Sequence, residues 1–343
     1  MTRKRRRSGK TVPKKSNAAG LTALALCFTR QLQLQAPPAA VVAGEPAGGP
    51  SAAAAAANLL FSPVAVYAAL ALLAAGARGG TLQELLDALG GDSRDDLDAF
   101  ARRAAERAVA DRSRSLSGGG PAVAFACGAW LDAAWALLPA FRDAEARAVD
   151  FGNEPEKAVG EINGCLAAAT NNHIDSILDP SSVDTRTTLV LVEKVASGPG
   201  FWHYRLPTSQ VPVGDFRLPK FEVFASGSVR EALSDGMGIK SAFVAGEADL
   251  ADMAAKRDED ADTAGTPLYV ADVCHKAVIE VNEGGTVANG ATASYMLCGA
   301  SAVMDQPVKV DFVADHPFVF FVIEEVSRAI VFVGRVLDPS ISG

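Results

Sequence analysis

The chain has 343 residues, 49% of them hydrophobic and 21% charged, with a formal net charge of −8. That length admits one large domain or two ordinary ones, and so much apolar residue excludes wholesale disorder. Five scattered cysteines, an odd number without metal spacing, argue against a disulfide framework and a zinc ribbon.

Residues 1–20 read as a basic disordered tail. Eight basic residues fall before position 16, and the first acidic residue is Glu45. Removing those eight from the 32 basic residues leaves 24 against 40 acidic ones, a net of −16 for the body. An acidic body is a poor partner for polyanions, so no nucleic acid is expected there. The tail fits a nuclear-import signal of two basic clusters, and it equally fits a solvated arm. Leu21–Phe28 is too short and too far behind that stretch for a secretory leader. Localisation stays open between cytoplasm, nucleus and extracellular space. No run of about 18 apolar residues is free of charges or breakers, so no membrane association is expected.

Leu21–Leu34 carries apolar residues at helical spacing, and residues 36–57 form a Pro/Gly/Ala connection. Val64–Ala77 is apolar all round and predicts a buried helix. Thr81-Leu-Gln-Glu84 predicts a capping box opening a helix that ends at Gly90-Gly91. Asp95–Arg112 predicts a charged outer helix. Val123–Leu131 has β character, and Asn153-Glu-Pro155 predicts a cap for a helix reaching Ala169. Leu189–Val195 predicts a buried strand. Val211–Phe224 reads as a strand pair around Gly214 and Pro219, and Val229–Leu233 as a short helix. Leu268–Val281 predicts a strand of mixed faces. Val308, Val310 and Phe312 alternate, which predicts one buried face. Phe318–Ile323 and Ile330–Val336 predict strands buried on both faces and joined as a hairpin. Helices first and strands after give an α+β class with large antiparallel sheets.

No phosphate loop, dinucleotide fingerprint, nucleophile elbow or zinc-protease motif occurs. The four histidines, His173, His203, His275 and His316, lack metal-ligand spacing. No catalytic residue, metal or cofactor is expected. The informative segment is Glu283–Ala293, eleven residues without a large side chain. Such a peptide can enter a sheet as a strand without steric cost, although the same composition also suits a surface loop.

Four stretches carry a resemblance. They are Asn58–Tyr67 leading to Ala74–Ala77, Val211–Phe221, His275–Thr286 and Phe312–Val322. Together they resemble the serpin family, and within it the plant serpin-Z group. The resemblance implies one domain over residues 21–343, a serpin fold, and a reactive-centre loop at about 283–306 offered as bait to a serine or cysteine protease. It implies a monomer. The loop hinge falls on Glu283, Gly285, Thr286, Ala288 and Ala291. The bait bond falls at Gly299–Ala300, or at Cys298–Gly299 if the count shifts by one. Neither offers a cation, so trypsin-like targets are not expected. The shutter beneath the large sheet falls on Asn58, Ser62 and His275, with Ala65 where a second serine is usual and Glu193 where an asparagine is usual. A block of the family fold, on the order of 80 residues, is expected to be missing between 195 and 201. It would remove half of the strand begun at Leu189 and much of the two smaller sheets. The expectation is therefore a serpin that does not trap proteases. The alternatives are a working inhibitor with a small bait residue, and a nuclear or scaffold protein acting through its basic tail.

Overall fold

The structure is a computed structural model, and it describes residues 16–34, 58–109, 125–138, 141, 146–169, 176, 178, 183, 187, 189–195, 213–256, 268–281, 309–323 and 329–341. Helix α1 (Asn17–Leu34) takes in the last four residues of the expected tail. Its Gly20 lies so close to helix α3 (Gly79–Leu89) that a Cβ there would meet the Leu89 carbonyl oxygen. Residues 17–20 therefore belong to the fold. Helix α2 (Pro63–Gly76) is buried at eleven positions, as its unbroken apolar sequence demands. Helix α4 (Arg94–Val109) buries Leu97, Ala101 and Ala104 and turns its charged face outward. No described helix is long and apolar enough to cross a membrane.

The capping box is not formed. Helix α3 begins two residues earlier, at Gly79, with Arg78 as an N-cap lacking a side-chain bond. Thr81 and Glu84 are drawn elsewhere. The Glu84 carboxylate accepts from the backbone N–H groups of Lys240 and Ser241 and from the Ser241 hydroxyl. The Thr81 hydroxyl oxygen accepts from the N–H of Asp249. The far end follows expectation, with Gly90 left-handed at φ +70°.

Strand β1 (Leu59–Phe61) pairs with β12 (Ile330–Val336), which pairs with β11 (Phe318–Ile323), in a three-stranded antiparallel sheet. β12 is buried at all seven positions. β11 is not, contrary to expectation. It is this sheet's outer strand, and Val319 is half exposed.

Among the described residues the large sheet has five strands. They are β2 (Phe125–Asp132), β4 (Ala146–Val149), β5 (Leu189–Val195), β7 (Phe221–Ser228) and β9 (Asp272–Val281), in the order β4-β2-β5-β9-β7. One face rests on the main core with α2. The other face carries Cys274 and Trp130 against helix α5 (Pro155–Ala169). Asn153 does not cap α5, because its side-chain amide donates to Asp150. A minor pair joins β3 (Trp135–Leu137) to β8 (Ala254–Lys256).

The expected strand pair over 211–224 divides differently. β6 (Val213–Arg217) and β7 do not pair with each other. β7 joins β9 in the large sheet, and β6 pairs in parallel with β10 (Val310–Val313). The face expected to be buried at Val310 and Phe312 is open, with both residues half exposed. This ribbon has two strands among the described residues, so no described layer covers it.

Candidate functional site

The centre of interest is the seam between β5 and β9. These strands run parallel over six residue pairs, from Val190 opposite Asp272 to Val195 opposite Ala277. β5 pairs with β2 on its other side, from Phe125 opposite Val195 to Leu131 opposite Leu189. The seam is thus closed along the described length of β5. β9 runs four residues further, through Val278–Val281, where its described partner is β7 alone. The small-residue segment begins just after β9 ends.

Beneath the seam, His275 projects from β9 into the core and is 2% exposed. Its Nε2 accepts the N–H of Ser62 at 3.1 Å. Ser62 precedes α2, so one hydrogen bond joins the middle of the large sheet to a helix terminus. An aromatic stack continues the link. The Phe61 ring lies 6.0 Å from His275 and 5.0 Å from Phe28 of α1, nearly parallel to both. Accepting at Nε2 requires a neutral ring, and burial holds it so, pushing the His275 pKa down to about 4. The Ser62 hydroxyl is buried without a hydrogen-bond partner among the described residues. Ala65, further along α2, is fully buried and contributes no hydroxyl.

Of the three expected shutter residues, the structure brings Ser62 and His275 together and places Asn58 elsewhere. The Asn58 amide nitrogen donates to the carbonyls of Asp338 and Ile341, at 2.8 and 2.7 Å. Its oxygen accepts from the N–H groups of Leu337 and Asp338. Asn58 is a clasp on the C-terminal segment. A buried amide uses all four of its hydrogen-bonding positions there, which is why the residue tolerates 3% exposure. Glu193 stands opposite His275 across the seam and opposite Cys127 on the other side. The side chains of Glu193 and Cys127 lie outside the described residues.

Glu283, Gly285, Thr286, Ala288 and Ala291, together with Cys298, Gly299 and Ala300, lie outside the described residues. Cys27 and Cys274 are buried, and burial raises both thiol pKa values, Cys274 to about 12. Cys165 is only partly buried, with the Arg147 guanidinium 2.9 Å from its sulfur. The sequence reading missed Phe28 and Phe61 as parts of the site. The spacing Leu21, Leu24, Phe28 on one helical face was the available signal for Phe28. Among the described residues, no group of three or more potential metal ligands gathers.

The family model described as serpin (serine protease inhibitor) matches residues 50–217 and 201–339. The chain belongs to the serpin family. A serpin-Z5 of Oryza sativa subsp. japonica is 37% identical over 94% of this chain and 90% of its own length. A serpin-Z8 of the same plant is 38% identical over 82% of this chain and 91% of its own. The serpin fold is matched by the structure of Arabidopsis AtSerpin1 in its native stressed conformation, with a TM-score of 0.72 and 22% identity, covering 95% and 99% of the two chains. The serpin-Z5 alignment spans 426 positions, more than the 343 residues of this serpin, so on the order of 100 of them have no residue here. The family is described as one of serine protease inhibitors, which supports a protease as a partner in general.

Proposed function

We propose that this serpin binds proteases as a substrate-like partner without trapping them. The observation that carries this reading is the length of the alignment with serpin-Z5, of whose 426 positions on the order of 100 have no residue in this chain. The described part of β5 has seven residues against ten in β9, and the ladder described between them runs from Val190 and Asp272 to Val195 and Ala277. In the family mechanism the loop becomes a strand between these two. A frame short of that many positions offers an inserting strand fewer ladder bonds, and a trap works only if insertion outruns hydrolysis of the acylated protease.

Two further facts support the reading. The family match falls in two pieces, and the relatives carry many positions that this chain lacks. The smaller sheets have three, two and two strands among the described residues, and the β6–β10 pair leaves apolar side chains in water where a strained frame needs packing. No residue of this reading performs chemistry on the protease.

The test is direct. The purified chain is mixed with an elastase-like serine protease, trypsin and a papain-like cysteine protease, then run on a denaturing gel. Cleavage near Gly299 without a covalent complex is the expected outcome. A complex that survives denaturation overturns the proposal and favours the working inhibitor with a small bait, which the closed five-stranded sheet would then serve. Trypsin is expected to leave the bait bond intact, since neither Cys298 nor Gly299 offers a cation.

A further inference from the structure

The β6–β10 ribbon carries five half-exposed apolar side chains in nine residues. Val213 and Phe216 stand on β6, and Val310, Phe312 and Val313 on β10, each 42–53% exposed. The Phe216 and Phe312 rings stack at 5.3 Å and 19° across the pair. A two-stranded ribbon is marginal in water by itself, and this one also leaves an edge of β6 without a described partner.

The hydrogen bonds fix which groups that edge presents. The Asp215 N–H donates to the Asp311 carboxylate, and the Arg217 carbonyl accepts from the Ala314 N–H. Both contacts lie on the β10 side. Backbone groups alternate along a strand, so the N–H and C=O of Phe216 point out from the edge that has no described partner. Charge then selects one partner. If β6 meets another β6 in antiparallel register with Phe216 opposite Phe216, the two residues exchange both backbone bonds. In that register Asp215 of each copy stands opposite Arg217 of the other. Registers centred one residue earlier would place Asp215 against Asp215. Within one chain Asp215 and Arg217 already form an exposed ion pair, and exchanging such a pair for a cross-strand one costs little. The aromatic pair becomes a row of four rings on one face.

The geometry points to a second copy of this chain as the occupant of the β6 edge. The resulting two-fold dimer has a continuous four-stranded sheet, β10–β6 of one copy followed by β6–β10 of the other, with an isologous interface. This contradicts the monomer implied by the family resemblance, and it does not depend on whether the chain traps proteases.

Light scattering coupled to size exclusion, run on the full chain across a dilution series, tests the proposal. The expected result is a dimer that dissociates on dilution. Asp215→Arg alone and Arg217→Asp alone each put like charges opposite one another and abolish the dimer. The double reversal restores it, because each copy again offers one charge of each sign. Phe216→Ser abolishes it by removing the centre of the aromatic row. All four variants lie on an exposed ribbon, and an unchanged circular dichroism melt of the dilute protein establishes that they fold. A wild-type chain that is monomeric throughout overturns the proposal. So does a dimer or larger assembly that survives both single reversals, or a double reversal that stays monomeric.

Discussion

Strands β12 and β10 are both rich in β-branched and aromatic residues, yet β12 is buried at every position and β10 is exposed at every position. The difference lies in their neighbours. β12 is flanked by β1 and β11 and packed under α1 and α2. β10 has β6 alone. Burial in this serpin is thus set by which layers exist to receive an apolar face, and the same side-chain chemistry stabilises one region and leaves the other sticky. The hub of α2, β12 and His275 is a finished core. The ribbon is a sheet fragment whose covering layer is not among the described strands.

The largest effect expected from this contrast is at Phe332. It is fully buried at the centre of β12 and belongs to the main core. Phe332→Ala removes a whole ring from a close-packed site and should cost about 3–5 kcal/mol, combining the transfer loss and the cavity left behind. Urea unfolding of the purified chain measures it. A loss below about 1 kcal/mol would mean the hub relaxes as freely as a surface.

His275 sharpens the comparison through charge. Its ring lies in the hub, and burial holds its pKa at about 4 against an ordinary value near 6.5. The unfolded chain therefore binds a proton that the folded chain refuses across that interval. Stability should be complete above about pH 6.5 and should fall as the pH drops towards 4, by about 3 kcal/mol for this group over the whole range. Carboxylates titrate in the same window, so the measurement is a difference. His275→Gln keeps an acceptor for the Ser62 N–H and removes the titration. Urea midpoints of the two proteins should converge as the pH falls. Parallel curves would show that His275 does not govern the acid limb.

How much of this was legible in the sequence follows from the range of each interaction. Helices α2, α3, α4 and α5 lay within three residues of their expected ends, because helical periodicity is a local signal. Thr81 and Glu84 failed as a capping box because Ser241, some 160 positions away, offers them better bonds. The partner of β6 was misread for the same reason. Leu218-Pro219-Lys220 looks like a turn between paired strands, but Phe221 belongs to the ladder with β9, and that choice is non-local. The Ser62–His275 contact was legible only through the family resemblance. The same resemblance grouped Asn58 with them, although its four bonds go to the C-terminal segment. A matched position identifies a residue and leaves its partners open.

The smallest effect is expected at Phe312, and it is the counterpart of Phe332. Both are phenylalanines near the middle of a strand, and sequence patterning gives both a buried face. Phe312 is half exposed and stacks on Phe216, itself half exposed. In solution dilute enough to dissociate the proposed dimer, Phe312→Ser removes a ring that already faces water on one side and leaves no enclosed cavity. The cost should stay within about 0.5 kcal/mol, as for surface substitutions away from special features. A tenfold gap between the two urea measurements would locate the stability of this serpin in its hub. A loss at Phe312 comparable to that at Phe332 would mean that something covers the ribbon even in the monomer. The exposure of the β6 edge, on which self-association depends, would then have to be given up.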